Sequence, residues 1–281
     1  MTDQTMYDFG DGPVPAHKHK NGGGWVADTA YVDESAWVSG NALVYGNAQV
    51  SGNALVYGNA LVFGSAQVYG DAEVYGDARV FGDARVFGDA VVYDSARVFG
   101  DARVSGDAQV YGGAVVYGSA VVYGDARVFG DALVYGDARV YGDARVYDNA
   151  RVRGDARMYG SARVSGNAQV YGSAVVYDNA QVSDNVMVCG NAQVCGNAWV
   201  RGDAQVSGDA QVCGVGRSDG HTFCAVPDKD GVVRVIAGCR YFTFEEAREH
   251  WTKTRIGTPL GDETFAILDY LERMVELRGY A

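Results

Sequence analysis

From Val26 to Val212 every sixth residue is valine, thirty-one times in thirty-two, with Met158 the exception. Two residues earlier, from Ala30 to Ala210, the position is alanine in thirty of thirty-one cases, Val186 being the exception. The unit reads A-x-V-x-G-D, with Asn or Ser the commonest substitutes for the last residue. In an extended strand successive side chains point to opposite faces, so Ala and Val share one face and the two x residues share the other. Because x is frequently Arg or Gln, the Ala/Val face is the interior. Gly supplies the permissive backbone of a corner, and Asp, Asn or Ser can hydrogen-bond the backbone of that turn. Each unit is thus a short strand plus a corner. One such unit cannot bury its apolar face alone, so units must coil and stack, three to an 18-residue triangular turn.

This pattern, with an aliphatic residue, corner residues and a small residue two before the next aliphatic, resembles the hexapeptide-repeat left-handed β-helix superfamily. The resemblance covers residues 25–214 and implies the fold class: an all-β solenoid, a left-handed parallel β-helix. The left hand is implied by the resemblance and not by the period. Thirty-two units make nearly eleven triangular coils, a rod on the order of 50 Å long at the spacing of stacked strands. Unlike most members of the superfamily, the coils carry no inserted loop, and no Pro occurs between Pro15 and Pro227.

Residues 18 apart stack, so each outward column reads as a ladder. The position after Val holds 19 aromatics in 32 places. Tyr45, Phe63, Phe81, Phe99, Tyr117 and Tyr135 are consecutive rungs of one column; Tyr57, Tyr75, Tyr93, Tyr111, Phe129 and Tyr147 are consecutive rungs of another. A third is broken by Ser105. Stacked aromatics suit parallel strands and stabilise them, and a contiguous aromatic surface also marks a site of self-association or partner binding. The position before Val holds ten Arg, among them Arg79, Arg97, Arg127, Arg145 and Arg163, beside rings that could accept cation–π contacts. The corner column stacks Asp71, Asp89, Asp107, Asp125 and Asp143. Three readings stand for that acidic ladder: corner caps neutralised by neighbouring Arg, a calcium-binding corner, or a surface that mimics the charge of DNA.

Composition narrows the function classes. The formal charge of -12 and pI near 4.7 oppose direct binding to nucleic acid or to an anionic membrane, both of which need basic surface. The N-terminal segment lacks the pattern of a secretion signal and no long apolar run occurs, so the expected location is the cytoplasm, that of a host cell if the chain is phage-encoded, or else a virion. The five cysteines, Cys189, Cys195, Cys213, Cys224 and Cys239, have no paired CxxC spacing and are expected to be reduced. Cys195 and Cys213 should be rung neighbours.

Many members of the superfamily are trimeric acyltransferases that use a His as general base beneath an inserted loop, and the carbonic-anhydrase-like branch needs several His ligands. Here the histidines are His17, His19, His221 and His250, none within the repeats. The coils therefore lack a proton acceptor tuned near neutral pH. No catalytic residue, metal or cofactor is assigned, and the chain is read as not an enzyme. His17-Lys-His19 reads as an exposed polar tail.

An open β-helix exposes strand edges at both ends, which must be capped. Residues 1–24 are expected to cap the first coil, helped by Trp25, Tyr31 and Trp37. Residues 215–281 change character: HTFCAVPDKDGVVRVIAG reads as two strands around an Asp-Lys-Asp-Gly turn. Thr243-Phe-Glu-Glu246 is a capping box opening a helix to about Lys253, and a second helix spans about Asp262 to Arg278, stopped by Gly279. This ββαα region is read as a capping or docking domain.

The NGGGWVADTA segment and the GRSDG…GC…TFEEA…LDYLE layout resemble phage and prophage hexapeptide-repeat proteins, which implies a viral accessory or structural role. The reading is a non-enzymatic rod that binds a protein partner, of host or phage, or assembles with itself as a homo-oligomer. The alternatives are an acyltransferase and an acidic mimic of DNA that inhibits a host protein.

Overall fold

The computed structural model describes residues 5–228, 230–238 and 240–278. It divides into two compact units, up to Asp143 and from Ala144 onward. Both carry a parallel β-solenoid whose strands are two to four residues long, and within each unit a solenoid strand pairs with the one three along. The solenoid stretches together amount to about ten turns, close to the count expected from the repeat.

In the first unit the register is 18 residues throughout, as in Leu43↔Leu61, Gln67↔Arg85 and Val92↔Val110. The outward residues give their amides to the next turn: Leu43 N–H donates to the Ala60 carbonyl at 3.0 Å and Tyr45 N–H to Val62 at 3.0 Å. The corner does the same, Asn47 donating to Gly64 at 2.7 Å. Inside, the repeat Ala and Val from Ala36 to Val140 are wholly excluded from solvent. Ala gives a close approach at one end of each short side and Val fills the other, so the strands bury the whole of their inward apolar face, while outward residues such as Leu43 and Val91 stay half-buried.

The corner glycines have φ near +70°, a region closed to most side chains. A Cβ on Gly82 would lie 3.0 Å from the Gly100 amide of the next turn. From Gly40 onward four corners break the glycine rule, and all four hold Asp at positive φ: Asp94, Asp148, Asp178 and Asp184. Each turns its carboxylate onto the amide one coil on, as Gly112 N–H to Asp94 Oδ2 at 3.3 Å and Gly202 N–H to Asp184 Oδ2 at 3.0 Å. Asp is admitted because it tolerates the left-handed backbone and its carboxylate accepts from the stacked amide.

Residues before the first coil form an antiparallel hairpin, Met6–Asp8 with Pro13–Lys18, and Pro13–Lys18 pairs antiparallel with Trp25–Ala27. The edge strand Trp37–Val38 is covered differently: Gly24 N–H donates to Val38 O, Val38 N–H to Asn21 O, and the Asn21 amide to Glu34 O and Ala36 O. Tyr31 and Trp37, expected to cover the first coil, instead stand 58% and 46% exposed, because alternation turns both outward. His17-Lys-His19 is no exposed tail. It continues the hairpin, with His17 Nδ1 2.9 Å from Asp28 and His19 buried against the Asn21 backbone.

In the second unit the parallel register continues, as in Arg145↔Arg163, Val170↔Val188 and Gln193↔Gln211, and Val186 is buried where Ala is the rule. A four-stranded antiparallel meander follows: Val215–Gly216, Thr222–Pro227, Val233–Ala237 and Arg240–Phe242. The two central strands flank a turn in which the Asp228 carboxylate accepts from the amides of Asp230 and Val232. The outer two strands are additions to the expected pair. Phe223, Ala225, Val235 and Ala237 face the helices, while Cys224, Val226 and Ile236 are buried on the opposite face, where Cys224 Sγ reaches the Trp199 carbonyl at 3.4 Å.

Helix α1 (Phe244–Arg255) opens on the expected capping box, with Thr243 and Glu246 satisfying each other's backbone amides. It runs two residues past Lys253. Helix α2 (Pro259–Arg278) starts three residues earlier than Asp262, since Thr258 Oγ1 accepts from Gly261 N–H and proline suits the first helical position. Trp251 of α1 and Leu268 and Leu271 of α2 close the core on the sheet. Cys239 and the proposed stop at Gly279 lie outside the described residues. Among the described residues no helix is long and apolar enough to cross a membrane.

Candidate functional site

In the first unit both aromatic columns are continuous stacks. Ring centroids from Tyr45 through Phe63, Phe81, Phe99 and Tyr117 to Tyr135 are 4.8–5.1 Å apart, with planes within 9°. From Tyr57 through Tyr75, Tyr93 and Tyr111 to Phe129 they are 4.7–5.1 Å apart and within 10°. Tyr147 belongs to the second unit. Stacking follows from the parallel register, which superposes Cβ atoms one strand spacing apart and leaves the rings one common plane direction. The rings are half-buried: their faces are spent on one another and their edges meet solvent. The third column holds the pairs Tyr69–Phe87 and Tyr123–Tyr141 on either side of Ser105 in the same unit.

One rung escaped sequence reasoning. Phe9 of the hairpin stacks on Tyr45 at 5.0 Å and so lengthens that ladder, while Tyr7 stacks on Trp25 at 4.4 Å. The signal was the pair of rings in Tyr7-x-Phe9, Tyr7 within the strand and Phe9 just past its end, lying 4.9 Å apart. Beside Phe9 and Tyr45 lies a cavity of about 360 Å³, also lined by Val14, Pro15 and Thr29.

Tyr45, Tyr57, Tyr75 and Tyr93 of the ladders are held in their neutral form. Burial, together with the Glu73 carboxylate that accepts the Tyr57 hydroxyl at 3.1 Å, pushes Tyr57 up to about 12. Burial first, then nearby acids, also raises Tyr45 and Tyr75. A raised folded-state value means the folded form keeps its proton longer, so this contribution to stability is full below the ordinary phenol range and is lost as pH rises from about 10 through 12. We expect the unfolding midpoint in urea to fall across that interval, and to fall less in Tyr57→Phe. An identical alkaline fall in the variant would show that Tyr57 does not carry the effect.

Asp71, Asp89, Asp107, Asp125 and Asp143 occupy one exposed corner of the first unit. Among the described residues none forms an ion pair with Arg, so the expected neutralisation does not occur. Two residues on from Asp71, Asp89 and Asp107 stand Glu73, Val91 and Gln109, and only Asp125 and Asp143 have an Arg there; solvent screens the exposed acids instead. At the head of the ladder Asn53 Nδ2 donates to Asp71 Oδ1 at 2.9 Å. Among the described residues no group of three His, Cys, Asp or Glu could hold a metal ion.

Arg127 lies in the first unit, and Arg145 and Arg163 are rung neighbours in the second. Among the described residues the cation–π contacts foreseen for Arg79, Arg97, Arg127, Arg145 and Arg163 are not formed; the rings beside Arg79 and Arg97, Phe81 and Phe99, have both faces taken by other rings, and beside Arg163 stands Ser165. Guanidinium meets a ring face where the aromatic column itself falters: Arg153, standing in a rung position, lies 4.4 Å over Tyr171. Arg201 likewise approaches Trp199 at 5.1 Å.

Cys195 and Cys213 are joined by a disulfide with Cα atoms 4.7 Å apart, in place of the expected reduced thiols. The register Cys195↔Cys213 brings the two side chains together. Burial pushes the Cys224 thiol up to about 12, far from the thiolate a nucleophile requires.

The repeats match a family model described as the YdcK beta solenoid repeat at residues 36–52, 48–64, 54–70, 78–95, 96–112, 108–124, 144–160, 162–178, 180–196 and 192–208. No curated protein sequence matches. Among solved structures the chain is similar to the UDP-N-acetylglucosamine acyltransferase of Francisella novicida, at 13% identity and a TM-score of 0.35, over 91% of this chain and 88% of that one.

Proposed function

The chain belongs to the YdcK β-solenoid repeat family, and on that footing we propose a non-enzymatic solenoid that binds a protein partner, or a further copy of itself, through its aromatic ladders. The observation that carries this reading is the unbroken Tyr57 to Phe129 stack of the first unit, whose ring edges line one side at a single spacing. Such a stripe offers a partner apolar contact and a row of phenol hydroxyls at once, the combination that makes Tyr frequent at interfaces. Its regularity suits a partner that repeats at the same spacing, which another copy of this chain does. A phage-type accessory role in the cytoplasm of a host, or in a virion, rests on the likeness of the lead-in and tail segments to prophage proteins. Acyl transfer is the second reading, and no group in the ladders favours it.

The test replaces Tyr57, Tyr93 and Phe129 with Ser, with folding verified by circular dichroism, and measures self-association by sedimentation velocity and partner binding by capture. Loss of association is expected, and association should persist in high salt because ring contacts are not screened. Unchanged association in the variant would sink the proposal. A complex that dissolves steeply with salt would point instead to the acidic corner ladder.

A further inference from the structure

We propose that the C-terminal region of the second unit holds a binding site for a small organic oxyanion, a phosphate or carboxylate borne on a compact apolar body. A cavity of about 480 Å³ lies between the meander and α1, lined by Arg217, His221, Arg240, His250, Trp251 and Arg255 among others, and by no Asp or Glu. That volume suits a small ligand. The chain as a whole carries a formal charge of -12, so a concave surface walled by three arginines is the exception within it.

The pairing of the arginines singles out this cavity. Of the arginines in this region whose side chains are described, Arg217, Arg234, Arg248 and Arg273 are each held by a carboxylate. Arg240 and Arg255 have no ion pair among the described residues, and both line the cavity. Two unneutralised guanidinium groups converging on one hollow repel each other, and an oxyanion between them removes the repulsion and gains charge-assisted hydrogen bonds.

Arg217 gives the site a fixed wall. Its side chain is almost wholly buried over the Phe223 ring, clamped by two bonds to Asp219 at 2.9 and 2.6 Å and one to Thr264 at 2.8 Å. These use three of its five N–H groups. Asp219 offsets the charge of Arg217 and sits 3.2 Å from His221 Nδ1, lining the neighbouring hollow and not this one. The carboxyl end of α1 presents about half a negative charge near Arg255, which two whole guanidinium charges outweigh. Phe223, Ala237 and Trp251 supply the apolar floor.

The ligand is tested on the full chain with three probes, inorganic phosphate, phenyl phosphate and benzoate, by following the histidine ring resonances in NMR titrations. Saturable shifts of His221 and His250, with His17 and His19 unmoved, are expected. Tighter binding of phenyl phosphate than benzoate identifies phosphate as the recognised group, and the reverse order identifies carboxylate. The double change Arg240→Gln and Arg255→Gln should weaken binding by about tenfold or more, while Arg273→Gln leaves it alone. In the unaltered chain the affinity should also fall as sodium chloride is raised. No saturable shift with any probe, an unchanged affinity in the double variant, or binding indifferent to salt overturns the proposal.

Discussion

Val110→Asp is expected to abolish cooperative folding of the first unit, while Gln109→Asp, one residue away, shifts stability by no more than about 0.5 kcal/mol. Val110 is wholly buried and stacks on Val92 and Val128, so a carboxylate there has no water and no partner. An uncompensated buried charge costs on the order of 4 kcal/mol or more. Val110→Ala, which removes two methyl groups and leaves a void, should cost about 2 kcal/mol. Gln109 points outward on the same strand, half-buried between Val91 and Arg127, with solvent beside it to receive a carboxylate. Urea unfolding measures the three variants. Because each turn touches only its neighbours, hydrogen exchange should show protection lost first around Val92, Val110 and Val128. Wild-type stability in Val110→Asp would refute the inward placement of the valine column.

The second large effect concerns the corners. Gly82→Ala forces a Cβ to within 3.0 Å of the Gly100 amide at a φ of +70°, at a cost of about 1–2 kcal/mol. Gly82→Asp should recover a good part of that loss, although Asp is the larger residue. Its carboxylate can take the Gly100 amide as Asp94 takes that of Gly112. The urea midpoints of the three proteins should therefore rank Gly82, then Asp, then Ala. A ranking with Asp below Ala would mean that the four natural Asp corners survive for some reason other than that bond.

The contrast between what could and could not be read in advance has a physical basis. The solenoid was legible because its register, interior and ladders all follow from one period, and stacking residues 18 apart is the only way to satisfy the Ala/Val face. The capping box at Thr243 was legible because it is a local contract between two residues. The hairpin at Met6–Asp8 and Pro13–Lys18 was hidden, since Pro13 and Pro15 argue against a strand and are tolerated here because their half of the strand has a ladder partner on one side only, the other partner strand meeting Ala16–Lys18. The start of α2 was misplaced by overlooking Thr258-Pro259. The aromatic ladders were foreseen rung by rung, yet their consequence for Arg was missed: a ring stacked on both sides has no face left to offer. The arginine-lined hollow was invisible, because its residues are scattered from Arg217 to Arg255 and converge only through a sheet whose outer strands have no strong pattern.

A chain whose inner face is the same in every turn is degenerate. Omitting one whole turn of 18 residues in the stretch from Asp71 to Asp143 would leave valine over valine in the interior, ring over ring in the columns of Tyr45 and Tyr57, and acid over acid in the corner that holds Asp71, at the loss of a single layer. The second unit has landmarks that forbid such slippage, since Arg153 finds Tyr171 and Cys195 finds Cys213 in one alignment alone. The hairpin plays this part in the first unit by seating Phe9 on Tyr45. Each such contact fixes the alignment of the turns beside it. Misaligned molecules, one layer short and otherwise sound, are the error this protein is built to avoid.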